Sequence, residues 1–193
     1  MKTICVFCGS KHGESPQYTA VARELGRALV KDGLGLVYGG GSVGLMTEVA
    51  DAVLEDDGHV IGVIPQALVD MEVAHLGLPD LRIVQSMHER KALMADLSDG
   101  FIAMPGGFGT LEELFEVITW AQLGFHHKPC GILNVDGYYD GLLSFLDHAA
   151  EQGFLKQVHR ELLLVSDDPI EMVKMLQSAQ PPHLTKVLER DEL

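Results

Sequence analysis

Basic residues are scarce in this chain of 193 residues. It contains 14 Lys and Arg against 28 Asp and Glu, which gives a formal net charge of −14. Proteins that bind nucleic-acid backbones or anionic membranes do so through clustered Lys and Arg, so this balance argues against both kinds of partner. If the ligand is anionic, its positive charge must come from a few local residues.

Long apolar runs are also missing. No run approaches the roughly 20 apolar residues of a membrane span. The first residues, MKTICV, begin a strand pattern rather than a signal peptide. We therefore expect a cytosolic protein.

Cysteines number only three, which does not suggest a disulfide framework. Cys5 and Cys8 have the spacing of a redox pair, yet they lie within a strand pattern, whereas reactive pairs are usually activated at a helix N-terminus. We interpret them as inert thiols. The nine His and three Cys show no spacing typical of a metal site, so we expect no metal.

Short apolar runs rich in β-branched residues alternate with longer segments of helical period, which is typical of an α/β protein. We predict a Rossmann-like, doubly wound, mostly parallel sheet of about seven strands with helices on both faces. We expect a single domain over residues 1–179 and a flexible tail over residues 180–193. The predicted strands lie near 3–8, 34–38, 59–64, 81–85, 100–104, 130–135 and 162–166, and the predicted helices at 16–32, 43–57, 87–98, 110–125, 139–152 and 169–179.

Three strand ends carry glycine-rich turns, at residues 9–13, 39–44 and 105–109. Ligands of doubly wound sheets gather at the carboxyl ends of the strands. The second turn matches G-x-G-x-x-G, but the next strand ends in Val63-Ile-Pro-Gln66 without the acid that holds a dinucleotide ribose, which favours a mononucleotide phosphate. Tight turns and close helix packing are the alternative explanation. Further phosphate-loop candidates are Ser10, Gly40, Gly41 and Gly106.

The third turn runs from an apolar strand directly into a helix, so it presents backbone N–H groups and the positive end of a helix dipole to an anion. Thr110-x-x-Glu113 is also a capping-box pattern. The carboxylate of Glu113 therefore either closes the helix start or stabilises a developing cation and activates water. Both interpretations stay open.

A second cluster precedes this strand, in Ser86-Met-His-Glu-Arg90-Lys91. Arg90 and Lys91 are the densest positive charge near any glycine turn, and an Arg can grip a phosphate through two parallel hydrogen bonds. The alternative is a capping box of Ser86 and Glu89 with Arg90 as a solvated helix residue.

Together these motifs resemble the LONELY GUY-type cytokinin riboside 5′-monophosphate phosphoribohydrolases, which are often mislabelled as lysine decarboxylases. The resemblance covers most of residues 4–160. It rests on the following segments: Pro105-Gly-Gly-x-Gly-Thr110-x-x-Glu113, Cys8-Gly-Ser10, Tyr38-Gly-Gly-Gly41 with Gly44-Leu-Met46, Met87-His-x-Arg90-Lys91, Val117-Ile-Thr-Trp-Ala-Gln-Leu123 and Leu133-Asn-Val-Asp-Gly-Tyr-Tyr139.

This resemblance implies hydrolysis of the N-glycosidic bond of a purine riboside 5′-monophosphate to free base and ribose 5-phosphate. It implies no cofactor, and a homodimer with the active site near the subunit interface. Arg90 and Glu113 would be the catalytic pair. The implied substrate contacts are Glu72, Arg90, Lys91, Gly107, Phe108, Gly109, Thr110, Leu111, Glu112, Glu113 and Thr119.

Two other functions remain as alternatives. A non-catalytic nucleotide-binding or carrier protein of the same fold would bind AMP and leave it intact. A pyridoxal-phosphate decarboxylase would need a Schiff-base lysine, for which the sequence offers little beyond Lys91. The sequence leaves open whether the base is adenine or a prenylated adenine.

Overall fold

The computed structural model describes residues 1–71 and 73–180. Seven strands form one sheet in the order β4-β3-β2-β1-β5-β6-β7, and every neighbouring pair of these strands is parallel. The predicted Rossmann-like α/β fold is thereby confirmed. The strands are β1 Thr3–Phe7, β2 Gly35–Tyr38, β3 Val60–Pro65, β4 Asp80–Val84, β5 Gly100–Ala103, β6 Cys130–Leu133 and β7 Leu163–Ser166.

Helices connect successive strands, as parallel pairing requires. They are α1 Pro16–Lys31, α2 Gly44–Glu55, α3 Gln66–Val69, α4 Met87–Asp96, α5 Phe108–Gln122, α6 Asp140–Glu151, α7 Gln157–Arg160 and α8 Pro169–Ser178, with a 3₁₀ turn at Val135–Gly137. The single-turn helices α3 and α7 and the 3₁₀ turn were not predicted, because four residues or fewer show no helical period.

The order of the strands places a crevice at the centre of the sheet. From β1 the chain builds outward through β2, β3 and β4, and then returns to the other side of β1 to add β5, β6 and β7. The carboxyl ends of β1 and β5 therefore border the point where the winding reverses, which is where doubly wound sheets bind ligands. The first and third glycine turns follow these two strands.

Both faces of the central strands are buried. Ile4 and Val6 face a core shared with α1, α2 and α8, whereas Cys5 and Phe7 face a core shared with α4 and α5. Such strands read as continuous apolar runs rather than as an alternation.

All three cysteines are buried and unbridged, and burial raises the pKa of each thiol. The neutral thiol is a poor nucleophile, which supports the interpretation of Cys5 and Cys8 as inert.

No helix among the described residues is long and apolar enough to cross a membrane. The cytosolic location and the division into a domain of residues 1–179 with a tail remain predictions. Residues 181–193 of that tail lie outside the described residues.

The three glycine turns are joined by backbone hydrogen bonds. The N–H of Gly9 donates to the carbonyl of Pro105 at 3.0 Å, and the N–H of Leu45 donates to the carbonyl of Gly9 at 3.1 Å. The contact is close at Gly44, whose φ is +57° and where an added Cβ would lie 2.3 Å from backbone atoms of Ser10 and Lys11. Only glycine fits this junction.

We predict that Gly44→Ala lowers the free energy of unfolding by more than about 2 kcal/mol, because a backbone clash adds to the cost of a left-handed alanine. Gly33→Ala is the matched control, since its φ is +70° and no atom lies within 4 Å of the added Cβ. It should lose only about 1 kcal/mol. Denaturant unfolding measures both values, and equal losses would contradict the clash.

Candidate active site

A cleft of about 400 Å³ lies at the carboxyl ends of β1, β2, β3 and β5. All three glycine turns and the starts of α4 and α5 contribute to its wall. Residues on this wall include Gly9, Ser10, Gly39, Gly41, Met46, Val73, Arg90, Gly107, Phe108, Gly109, Thr110, Glu112 and Glu113. The fold thus brings together most of the residues that the sequence singled out.

Two larger cavities lie elsewhere on the protein. One of about 450 Å³ lies between α1 and α8. The other, the α4–α5 groove, has about 550 Å³ and lies between α4 and α5. Neither contains a glycine turn or the Arg90–Glu113 pair. The smaller central cleft is therefore the better candidate on chemical grounds.

The carbonyls of the third glycine turn accept hydrogen bonds from residues of other loops. The carbonyl of Met104 accepts from the Tyr139 hydroxyl at 2.7 Å, that of Pro105 from the N–H of Gly9 at 3.0 Å, and that of Gly106 from the Tyr138 hydroxyl at 2.6 Å. Sequence reasoning gave the two tyrosines no role, although their segment was among the motifs of the resemblance.

Helix α5 begins two residues earlier than predicted. Gly107 is its N-cap and makes no side-chain capping bond, so Thr110 is the third helical residue and Glu113 the sixth. The interpretation of Thr110-x-x-Glu113 as a capping box is therefore wrong. The N–H groups of the first turn have no intrahelical acceptor, and the space around Gly107 and Gly109 is open to 4 Å. These glycines let a ligand approach the free N–H groups.

Arg90 is buried in the cleft wall with 9% of its surface exposed. Its Nε donates to the carbonyl of Val63 at 3.1 Å, and its Nη2 donates to the carbonyl of Gly39 at 3.1 Å. Its Nη1 lies 3.7 Å from Oε1 of Glu113. Two strand-end carbonyls and one carboxylate thus compensate the buried cation.

Of the alternative interpretation of this segment, the cap at the start of α4 is present, but Arg90 is buried rather than solvated. The Ser86 hydroxyl accepts from the N–H of Glu89 at 3.1 Å, and the Glu89 carboxylate accepts from the N–H of Gln85 at 2.8 Å. The cap fixes the first turn of α4 and with it the direction of the Arg90 side chain.

Glu113 has a perturbed acidity. Burial of its side chain, which is 11% exposed, raises the pKa to about 7, and the charge of Arg90 opposes this rise without cancelling it. The neighbouring carboxylate of Glu112 raises the pKa further. A carboxyl group with a pKa near neutrality can both accept and donate a proton at physiological pH.

Lys91 does not line the cleft. Its Nζ lies 2.5 Å from Oε1 of Glu112 and 3.0 Å from Oε1 of Glu116. Burial alone would lower the pKa of Lys91, but the hydrogen bonds to Glu112 and Glu116 raise it above its ordinary value. The ammonium group stays charged and is paired with two carboxylates of α5, of which Glu112 lines the cleft.

Other candidates are distributed between the cleft and the rest of the fold. Phe108 is 93% exposed at the mouth of the cleft. Leu111 instead packs into the core beside Ala103 and Leu114. Thr119 is exposed, its hydroxyl donates to the carbonyl of Phe115 at 2.7 Å, and it lies outside the cleft wall. Glu72 lies outside the described residues.

Only some of the further phosphate-loop candidates line the cleft. Ser10 and Gly41 line the cleft, and Gly106 lines an adjoining cavity of about 370 Å³. Gly40 is buried with φ +68°, and an added Cβ would lie 3.2 Å from Ile64 and Leu81. Turn geometry and close packing therefore account for the glycine at position 40.

Apolar side chains complete the cleft wall. Met46, Ile64, Leu68, Val73 and Met87 were not predicted as site residues. Their hydrophobic character matches that of core residues, so the sequence carries no signal that separates the two. Among residues 1–71 and 73–180, no group of three or more His, Cys, Asp or Glu side chains is arranged to hold a metal ion.

Known proteins resemble this chain over most of its length. Residues 46–176 match a family model described as "Possible lysine decarboxylase". A cytokinin riboside 5′-monophosphate phosphoribohydrolase of Arabidopsis thaliana is 49% identical over 194 residues, which cover 100% of this chain and 89% of that protein. A probable enzyme of the same name from Oryza sativa subsp. japonica is 52% identical over 182 residues, which cover 94% of this chain and 75% of that protein.

Solved structures share the fold at lower identity. A molybdenum cofactor binding protein from Rippkaea orientalis has a TM-score of 0.70 at 21% identity, covering 92% of this chain and 96% of that one. The molybdenum cofactor carrier protein of Chlamydomonas reinhardtii has a TM-score of 0.68 at 23% identity, covering 92% and 99%. Identities this low establish the common fold alone.

The acidity of Glu113 leads to a prediction about stability. Its pKa is about 7 in the folded state against a reference value of 4.5, so the folded state binds more protons between these values and wild-type stability falls as the pH rises through this window. We expect the stability of Glu113→Gln relative to wild type to increase by about 3 kcal/mol between about pH 4 and pH 8.5.

Denaturant unfolding across this pH range measures the effect. Glu55→Gln is a control of opposite sign, because hydrogen bonding to Arg23 lowers the pKa of Glu55. A stability difference between Glu113→Gln and wild type that does not change with pH would contradict the raised pKa.

Proposed function

Because the chain belongs to the family of the cytokinin riboside 5′-monophosphate phosphoribohydrolases, we propose that it hydrolyses the N-glycosidic bond of a purine riboside 5′-monophosphate. The products are the free base and ribose 5-phosphate. The observation that carries the proposal is the buried Arg90–Glu113 pair facing a glycine turn with free N–H groups. The glycine turn and Arg90 suit the phosphate, and Glu113 suits the reacting sugar.

The 5′-phosphate binds to the third glycine turn. The first N–H groups of α5 and the positive end of its dipole attract the anion, and Gly107 and Gly109 leave room for its oxygens. Arg90 adds a full positive charge through Nη1, because Nε and Nη2 already donate to carbonyls. Binding energy from the phosphate orients the ribose for reaction.

Glu113 acts at the sugar. As the bond between C1′ and the base nitrogen breaks, its electron pair leaves with the base and positive charge develops on the ribose ring. The Glu113 carboxylate stabilises that charge and accepts a proton from the water that attacks C1′. Over the whole reaction the hydroxyl group of water goes to C1′ and a proton goes to the base. A pKa near 7 suits this proton transfer at neutral pH.

The alternatives have less support. A Schiff base needs a neutral amine, and the Lys91 ammonium group is paired with two carboxylates. A pure carrier would not need a buried carboxyl group of perturbed acidity beside the anion site. The similarity to molybdenum cofactor carriers supports only the fold.

We further propose that two copies associate through the α4–α5 groove. Its wall combines Ala92 of α4 and Trp120 of α5 with Phe125, which follows α5. Thr119 is exposed on α5 beside Trp120 and outside the cleft of its own chain. A partner across this groove would allow Thr119 of one copy to contact substrate in the cleft of the other. Of the other apolar residues on α5, Leu114 and Ile118 pack into the core instead.

The activity test measures the free base released from AMP and from N6-isopentenyl AMP. We expect wild-type protein to release base from at least one of them, and Glu113→Gln to lose about 100-fold or more in kcat because a glutamine supplies neither negative charge nor basicity. Glu55→Gln is the control, because Glu55 is an exposed carboxylate at the end of α2 that pairs with Arg23 of α1. Absence of base from both substrates with wild-type protein would overturn the proposed function.

The dimer test uses Ala92→Glu, which places a charge in the α4–α5 groove. We expect light scattering to give a dimer for wild type and a monomer for the variant, because an unpaired carboxylate resists burial. A dimeric variant would contradict this interface.

As a test of the shared site, mixed dimers of Glu113→Gln and Thr119→Val chains should regain part of the activity that either variant alone lacks.

A further inference from the structure

Tyr138 and Tyr139 follow β6, about 30 residues after the glycine turn that they contact. The Tyr139 hydroxyl holds the carbonyl of Met104, and the Tyr138 hydroxyl holds the carbonyl of Gly106. Asn134 fixes this segment, because its Oδ1 accepts from the N–H of Tyr139 at 2.7 Å and its Nδ2 donates to Asp140 at 2.7 Å. The hydrogen bonds of Asn134 thus hold the tyrosine segment in place beside the turn.

The two bonds differ in their consequence. In a trans peptide the carbonyl and the N–H point in opposite directions. The peptide that starts at the Gly106 carbonyl ends at the N–H of Gly107, so the Tyr138 bond turns this N–H away from the tyrosine. The peptide that starts at the Met104 carbonyl ends at Pro105, which has no N–H. Of the two tyrosines, only Tyr138 thereby fixes the direction of a donor.

Gly107 needs such an external restraint. No neighbouring atom lies within 4 Å of the position of its missing Cβ, and it is the N-cap of α5 without a side-chain capping bond. A glycine in open space has many accessible conformations. It also lines the cleft that contains Arg90 and Glu113.

We propose that Tyr138 is a positioning residue that directs the N–H of Gly107 toward the phosphate of the ligand. This inference rests on the proposed function only in that the ligand carries a phosphate. Tyr138 acts through the backbone from the side opposite to the ligand. It therefore sets the affinity for the phosphate rather than the chemistry at the sugar.

The test compares Tyr138→Phe with Tyr139→Phe and Tyr18→Phe. Tyr139→Phe removes a bond to the same turn without releasing a donor. Tyr18→Phe removes a hydroxyl from a ring that packs edge-on against Tyr138 at 5.8 Å between centroids. Calorimetric titration with ribose 5-phosphate should show a loss of affinity of about three- to tenfold for Tyr138→Phe, the range of one ordinary hydrogen bond. The two controls should lose less than about twofold.

Kinetics give the second readout. For a riboside 5′-monophosphate, Tyr138→Phe should raise KM by a similar factor and leave kcat within about twofold. For the riboside without phosphate, kcat/KM should not change. A purely structural role would lower activity on both substrates together.

Equal affinity of wild type and Tyr138→Phe for ribose 5-phosphate would overturn the inference, as would an equal loss in Tyr139→Phe or no binding by wild type. These outcomes differ from a failure of the proposed function. If wild type binds ribose 5-phosphate but releases no base, the hydrolase proposal fails while the titration still tests Tyr138.

Discussion

The buried guanidinium group of Arg90 is the constraint on which the site depends. A cation removed from water must be compensated, and here the carbonyls of Val63 and Gly39 do so at the ends of two adjacent parallel strands. β2 ends at Tyr38, where its pairing with β3 stops at Gly62, and the next carbonyls on the two strands, those of Gly39 and Val63, accept from Arg90 instead. Position 39 must be glycine for the same reason, since an added Cβ would meet Nη2 of Arg90.

Glu113 shares this environment but responds differently. Two carbonyls and a carboxylate surround the guanidinium group of Arg90. For Glu113, burial of the carboxyl group outweighs the attraction of Arg90 and raises the pKa. An ion pair at 3.7 Å is too long for a direct hydrogen bond, which leaves the carboxylate available for a ligand. The same burial that costs stability at high pH thus prepares the group for proton transfer.

The proposed anion site of this acidic protein draws its donors mostly from backbone N–H groups. The net charge of −14 repels phosphate at long range, and Lys91 is neutralised by Glu112 and Glu116. What remains is one edge of Arg90 and the N-terminus of α5, both at short range in a low-dielectric cleft. Gly107 and Gly109 leave these groups open to a ligand, and in the proposed arrangement Tyr138 directs the N–H of Gly107.

The sequence by itself determined the fold and the chemical types at the site. The period of apolar residues predicts each long element, and the glycine turns after strands predict where the candidate cleft lies, since these are local properties of the chain. Only the tertiary structure decided how individual side chains are used. A helix start displaced by two residues removes Glu113 from the cap, and packing directs Leu111 into the core. Lys91 pairs with Glu112 and Glu116 instead of lining the cleft. The bond from Tyr138 to Gly106 joins residues 32 positions apart. Side-chain direction depends on such distant contacts, which spacing along the chain does not encode.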